Sequence, residues 1–215
     1  MKSDSQLQHD VLQELEWRPS IDASQIGVLA KNGVVTLTGF VPQFADKIEA
    51  ERVTKSVAGV KAVADEIDVR LTGTINDTDI ANAALYALKW HTWIPNEKIK
   101  VTVSDGWITL EGTVDWQYQR EAAREAVCHL QGVKGVTNQI AITARPQPKD
   151  IRDKIEVAFK RSAEVDARHV QVDARDNTVA LTGHVSSSSE RAEAERVAWA
   201  APGVIAVDNR LTVSA

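Results

Sequence analysis

The residues that could perform acid–base, nucleophilic or metal chemistry do not recur at matched positions along an internal repeat. They are His9, His91, His129, His169, His184 and Cys128. When the copies of the repeat are aligned, His9 falls opposite Asn82, and His129 falls opposite Ser56 and Ala200. A repeated active site would need the same group in each copy. We therefore predict structural or solvent-facing histidines, and we assign no catalytic residue, metal ligand or cofactor.

One set of polar side chains does recur. Asp65, Asn138 and Asn209 each lie six residues after an aligned glycine. Short polar side chains of this kind often bond nearby backbone groups. The alternative is that each supplies one oxygen ligand of a weak cation site, which would require the copies to pack symmetrically.

Two tryptophans at the end of a predicted helix are the most unusual feature. Trp90 follows Leu88 by two residues, which places it about 200° around a continuing helix. It is therefore predicted to face away from the core of its own domain, and Trp93 follows just before Pro95. Beside Lys89, such rings suit a membrane interface or a groove on a partner. The alternative is that one or both rings pack between domains.

A second candidate contact lies on a helix in the last third of the chain, which carries a modest basic face. Its residues are Arg152, Lys154, Lys160 and Arg161. Together with Lys89, Trp90 and Trp93, these side chains form the candidate set for contact with lipid or with a partner.

These residues are set in a threefold repeat. Each copy has a strand that ends in glycine, then a helix, and then a second glycine 20 residues after the first. The glycine pairs are Gly39 and Gly59, Gly112 and Gly132, and Gly183 and Gly203. The first glycine of each pair is predicted to end a strand and turn the chain, and the second to cap the helix.

Each copy is predicted to run helix–strand–strand–helix–strand. Asn32-Gly33 and Asp105-Gly106 favour tight hairpins, and Asp176-Asn177 marks the third turn. The helix after the hairpin is a crossover, so the second and third strands should be parallel. In the first copy the second strand is predicted over Val34–Gly39 and the third over Val60–Leu71, with a bulge or break near Asp65.

The predicted fold is therefore α+β, with three tandem αββαβ domains over residues 1–72, 76–144 and 149–215. Each is expected to have a three-stranded mixed sheet with two helices on one face. The prolines of Arg145–Pro148 predict a stiff connector before the third domain.

Composition narrows the possible functions. The 215-residue chain has a net charge of −5, which argues against a nucleic-acid partner. One cysteine excludes an intramolecular disulfide.

The sequence after Met1 has no apolar core of a secretory signal. If Met1 is the natural start, we expect a cytoplasmic protein, peripheral to the membrane where it binds lipid. A removed signal would instead make it periplasmic.

The repeated pattern resembles the BON (bacterial OsmY and nodulation) domain family. The residues that carry the resemblance are Val35–Gly39, Ile108–Gly112 and Val179–Gly183, together with Gly59-Val60, Gly132-Val133 and Gly203-Val204. The resemblance covers almost the whole chain. It implies a non-enzymatic envelope or stress protein. Family members are proposed to bind phospholipid surfaces, and some act as periplasmic chaperones or bind potassium with a partner module.

Three functional hypotheses follow. The first is association with phospholipid membrane surfaces, linked to osmotic or envelope stress. The second is a chaperone-like or protein-interaction adaptor that uses the uncovered faces of the sheets. The third is a cation module, with potassium as the ion that the resemblance suggests. The sequence leaves the ligand, the partner and the oligomeric state open.

Overall fold

The computed structural model describes residues 2–71, 73, 75–143, 151–161, 169–175 and 177–213. The helices are α1 (Asp4–Glu16), α2 (Phe44–Ser56), α3 (Asp77–Trp90), α4 (Gln117–Cys128), α5 (Ile151–Arg161) and α6 (Ser188–Trp199). The strands are β1 (Ile26–Lys31), β2 (Val34–Val41), β3 (Ala62–Val69), β4 (Ile99–Ser104), β5 (Trp107–Val114), β6 (Gly135–Ile142), β7 (Val170–Arg175), β8 (Thr178–Val185) and β9 (Ala206–Val213). None of these described helices is both long and apolar enough to cross a bilayer.

Each copy forms its own three-stranded mixed sheet, which confirms the predicted fold. In the first sheet β2 lies in the centre, antiparallel to β1 and parallel to β3. The other two sheets have the same order. The inward side chains of β2, Val35 and Leu37, are fully buried beneath α1 and α2. Leu7, Val11 and Leu15 form the matching stripe on α1, because residues three to four apart share one helical face.

The hairpin turns depend on left-handed backbone, as predicted. Asn32 and Gly33 have φ values of 55° and 84°, the combination that a type I′ turn requires. In the second domain the hairpin turn is also bonded to the first helix of that domain. The Asp77 carboxylate on α3 accepts hydrogen bonds from the backbone N–H groups of Asp105 (2.8 Å) and Gly106 (2.9 Å). The connector Arg145–Pro148 and the turn residue Asp176 lie outside the described residues.

The first glycine of each pair does not end its strand, contrary to the prediction. The central strand β5 continues beyond Gly112 to Val114, where it still pairs with β6. Gly112 lies opposite Ile99 on β4 with a φ of 137°. A Cβ atom added there would lie 2.0 Å from the carbonyl oxygen of Lys98. The position therefore requires glycine because of both its φ angle and the close approach of the neighbouring strand.

Two other expectations need correction. Strand β3 begins at Ala62 rather than Val60, and it pairs with β2 without a break through Asp65. Helix α2 ends at Ser56, three residues before Gly59, so the second glycine lies in the turn after the helix rather than directly at its end. All three second glycines nevertheless have positive φ: Gly59, Gly132 and Gly203.

The domains contact one another through α2 of the first domain. Phe44 on α2 is buried in the apolar cluster of the second domain, with Ile48 packed against the same cluster. Burial raises the pKa of the Asp46 carboxyl on this helix, and nearby His129 of the second domain opposes the shift. At the third domain, the Ser188 hydroxyl donates a hydrogen bond of 3.1 Å to the carbonyl oxygen of Val60.

Replacing Gly112 with alanine is expected to lower the free energy of unfolding by about 1–3 kcal/mol, because the new Cβ would combine backbone strain with a collision. Gly73→Ala is the matched control: Gly73 also has a positive φ, 105°, but no atom of the described residues lies within 4 Å of a Cβ added to it. Urea unfolding of both variants measures the difference. If both variants lost the same free energy of unfolding, the close approach of the Lys98 carbonyl oxygen to Gly112 would not contribute to the requirement for glycine.

Candidate binding surface

The end of α3 presents an exposed apolar surface because the inward positions of the helix are already occupied. Asn76 begins the helix, with its side chain accepting a hydrogen bond of 2.9 Å from the Asp79 N–H. Ile80, Ala84 and Leu88 then form the buried stripe. Every further large side chain on this helix must therefore lie on a flank or on the outer face.

The outer face of α3 and the residues after it form what we call the aromatic surface, made of Leu85, Tyr86, Lys89, Trp90 and Trp93. Trp90 is 89% exposed, Tyr86 73% and Trp93 58%. Tyr86 and Trp90 are four residues apart, so they lie one above the other on the helix. The prediction that Trp90 faces away from its own core is confirmed.

The loop after α3 holds Trp93 outward. The next residue, Ile94, is buried in the core of the domain. The carbonyl oxygen of Trp93 accepts a hydrogen bond of 3.1 Å from the Gln119 side chain on α4. The Trp93 ring lies 6.2 Å from the His91 ring, measured between centroids. Because the backbone on both sides is fixed, exposure of the ring is a property of the folded domain.

Packing between domains, the alternative considered from the sequence, is wrong for Trp90, which is almost fully exposed, whereas Trp93 is more than half exposed and contacts His91 and Gln119 of its own domain. Phe44 and Ile48 make the apolar contact between the first two domains instead. The sequence did contain a signal for this contact. The residues aligned with Phe44 are Gln117 and Ser188, so a large apolar side chain occurs at that position in the first copy alone.

The position of Trp90 has different surroundings in each copy. It aligns with Trp17, which is 82% exposed at the end of α1, and with Arg161 at the end of α5. Trp17 lines a cleft together with Asp10, Glu14 and Glu16, and Lys2 in the same cleft pairs with Asp10 at 2.7 Å, so the acidic groups are in excess. The three domains therefore present an acidic, an aromatic and a basic surface at the same place in the fold.

The four basic residues predicted on α5 lie on two sides of the helix. Lys154 and Arg161 line a cleft between α5 and α6. Arg152 and Lys160 instead lie over the side next to β7, near Phe159 and Val170. The structure therefore does not gather the four cations into one patch, and it places none of them on the aromatic surface.

The recurring polar side chains bond the backbone, as one of the two interpretations predicted. Asp65 accepts a hydrogen bond of 3.0 Å from the Ile67 N–H, and Asn138 and Asn209 accept equivalent bonds of 3.2 Å. Asn138 also donates to the carbonyl oxygen of Arg120 on α4 at 2.9 Å, which ties the strand to the helix. These side chains therefore have a structural function in each domain.

The remaining reactive residues do not form a metal-binding cluster in the described parts of the chain. No group of three or more histidine, cysteine, aspartate or glutamate side chains there could hold a metal ion. Cys128 is buried, and burial raises the pKa of its thiol. His169 and His184 have ring centroids 4.4 Å apart. This pair was not predicted from the sequence, and the antiparallel pairing of β7 with β8 brings the two residues together.

A family model described as the BON domain matches residues 3–70, 76–144 and 148–215. Among curated proteins, the chain is 35% identical over 127 residues to Osmotically-inducible protein Y of Escherichia coli (strain K12). That match covers 56% of this chain and 63% of the relative, so it spans less than two thirds of the relative's length.

Two solved structures of CdsD, a structural protein of the type III secretion system of Chlamydia trachomatis, are also similar at 16% identity. The first covers 96% of this chain and 91% of its own, with a TM-score of 0.28. The second is the C-terminal domain and covers 100% of both chains, with a TM-score of 0.27. These scores are too low to support any further argument.

Trp90→Ala combined with Trp93→Ala is expected to change the free energy of unfolding by no more than about 0.5 kcal/mol, as is usual for exposed positions. Trp107→Ala is the matched comparison, because its ring covers Gly135 and its Nε1 donates a hydrogen bond of 2.8 Å to Thr137. It should destabilise the protein more. Thermal and urea unfolding measure both, and a large loss in the double variant would show that the exposed rings support the fold.

Proposed function

We propose, because this chain belongs to the BON-domain family, that it is a non-enzymatic protein that associates with phospholipid membrane surfaces under osmotic or envelope stress. The BON domain is a non-catalytic family. The similarity to an osmotically inducible protein supports the link to osmotic stress. The observation that carries the membrane part of the proposal is the exposure of Trp90 and Trp93 on a fixed part of the second domain.

The chemistry of the aromatic surface matches the boundary between water and lipid. Tryptophan and tyrosine have a large apolar body and a polar tip, so they are enriched where acyl chains meet headgroups. Leu85 adds an aliphatic side chain that is also exposed. Insertion of this surface removes apolar area from water, and burial of one large apolar side chain contributes about 1.5–3 kcal/mol.

Charge modulates this contact but does not dominate it. Lys89 adjoins Trp90 and would lie near lipid phosphates, where one basic residue contributes about 1 kcal/mol on an anionic membrane. Lys160 and Arg161 are exposed on α5 and would add to this attraction in an orientation that brings the third domain near the surface. The net charge of −5 opposes it. Insertion of apolar side chains therefore contributes most of the free energy of membrane binding, and added salt should weaken binding only modestly.

The first domain offers an internal control. Trp17 has the same position in the fold and is similarly exposed. Glu16 adjoins Trp17 at the position that Lys89 has beside Trp90, and Arg18 on the other side of Trp17 is ion-paired with Glu14 at 3.6 Å. Anionic headgroups would therefore be attracted less to the surroundings of Trp17 than to those of Trp90. If exposure of a ring were sufficient, both tryptophans would bind lipid. We expect the charge of the neighbouring residues to determine which tryptophan binds lipid, and we therefore expect lipid to bind at the second domain.

Protein recognition is the second candidate, and one observation favours it. On the first sheet the face away from the helices carries the exposed apolar residues Leu29 and Val34. An adaptor that uses this face would not need the aromatic surface. Leu29→Ser would then abolish capture of its partner while leaving vesicle binding unchanged.

Vesicle co-sedimentation tests the membrane proposal. The double variant Trp90→Ala, Trp93→Ala is expected to bind vesicles of phosphatidylcholine and phosphatidylglycerol at least about tenfold more weakly than the parent, because it loses two insertable rings. Trp17→Ala is the control and should retain binding. No binding by the parent protein, or equal losses for Trp17→Ala and for the double variant, would contradict the proposal.

A further inference from the structure

A cleft of about 630 Å³ lies between α5 and α6 in the third domain. Its apolar lining comes from Ile155, Val157, Ala158, Val197, Ala200 and Ala201. Val157 is 51% exposed, so the lining is open to solvent. Ala158, Ala200 and Ala201 are small and leave space between the helices. The volume is in the range of sites that take small ligands.

Basic side chains border this apolar lining. They are Lys154, Arg161 and Arg196, with Asp153 as the acidic residue among the lining groups. Arg196 also donates two hydrogen bonds of 2.6 Å to the Glu193 carboxylate, so Lys154 and Arg161 against Asp153 give the cleft a formal charge of +1. Arg161 and Arg196 lie in last turns, where cations also complement the negative end of a helix.

Comparison with the first domain shows that the first copy lacks this chemistry. The equivalent cleft there lies beside α1 and Ser56. Lys154 is replaced by Asp10, Ala158 by Glu14 and Ala200 by Ser56. The shared fold therefore produces the space between the helices, whereas the sequence of the third copy makes that space apolar and basic.

We infer that the cleft binds a single-chain amphiphile with an anionic head, of the fatty-carboxylate class. The acyl chain lies along the apolar residues between the helices, and the carboxylate lies against Arg161 at the end of α5, because Lys154 is seven residues, or about 10 Å, away along the helix. Helix α5 has 11 residues and is about 16 Å long, so an acyl chain of dodecanoate length can lie along it. The Ser188 contact with the first domain is at the start of α6, away from the cleft, which is lined by the end of that helix.

This site is independent of the aromatic surface and of bilayer binding. A monomeric amphiphile has no bilayer surface, so failure of one proposal does not imply failure of the other. Isothermal titration of the full chain with dodecanoate, below its critical micelle concentration, should show saturable binding of one molecule per chain. Dodecyltrimethylammonium has an alkyl chain of the same length with a cationic head. It should bind at least about tenfold more weakly, because the basic side chains of the cleft repel that head.

Variants identify the cleft as the site. Ala200→Trp fills it from an exposed position and should abolish dodecanoate binding. Arg161→Glu should weaken binding about fivefold or more, since it reverses a charge at the rim. Lys160→Glu is the control, because it makes the same change of charge at the next residue but on the side of α5 next to β7; its affinity should stay within about twofold. Circular dichroism confirms that each variant is folded.

Three results would overturn the inference. The first is no saturable binding of dodecanoate, and the second is equal binding of the anionic and cationic amphiphiles. The third is self-association of the parent chain in sedimentation equilibrium that Ala200→Trp abolishes. In that case a second copy of the chain, and not an amphiphile, occupies the cleft.

Discussion

The close approach of two strands at one glycine is the constraint on which each domain depends. At Gly39, Gly112 and Gly183 an added Cβ would lie 2.0, 2.0 and 1.9 Å from a carbonyl oxygen of the residue just before the first strand. Each of these glycines also has a positive φ. The central strand can therefore leave its antiparallel partner at this point and continue alongside the parallel strand, as β5 does with β6 as far as Val114. The chain then enters the crossover helix in a fixed direction.

Once this geometry is fixed, the outward residues of each domain can vary without loss of the fold. The last position of the first helix and its surroundings show the consequence: Trp17 lies near acidic residues, Trp90 lies beside Lys89, and Arg161 borders an apolar cleft. The crossover helix varies in the same way, because Phe44 makes α2 a contact for the second domain while the aligned Gln117 does not. Three copies of one fold thereby acquire different surfaces, and we propose that the binding functions depend on those differences.

Much of the fold follows from local patterns in the sequence, because those patterns have local physical causes. The Asn32-Gly33 turn follows from the φ values that a type I′ turn requires, and the outward direction of Trp90 follows from helical periodicity. The packing that brings Phe44 into the core of the second domain could not be predicted, because domain packing joins residues far apart in the sequence. His169 and His184 meet for a different reason: they lie opposite each other in one hairpin, and the register of β7 against β8, which was not assigned from the sequence, brings the two rings together. The strand was predicted to end at Gly112 because glycine often ends a strand. The sequence does not show that the Lys98 carbonyl oxygen lies against Gly112, which is the reason for glycine within a strand that continues.

In the proposed function, the exposed end of α3 in the second domain, with its loop, is the part of the chain that meets a membrane. Hydrogen–deuterium exchange of the full chain, with and without vesicles that contain phosphatidylglycerol, locates the contact without any substitution. We expect vesicles to slow exchange in peptides covering residues 85–95, while peptides at the end of α1 around Trp17 exchange as before. Slowed exchange confined to the outer face of the first sheet, around Leu29 and Val34, or no change anywhere in the chain, would contradict this assignment.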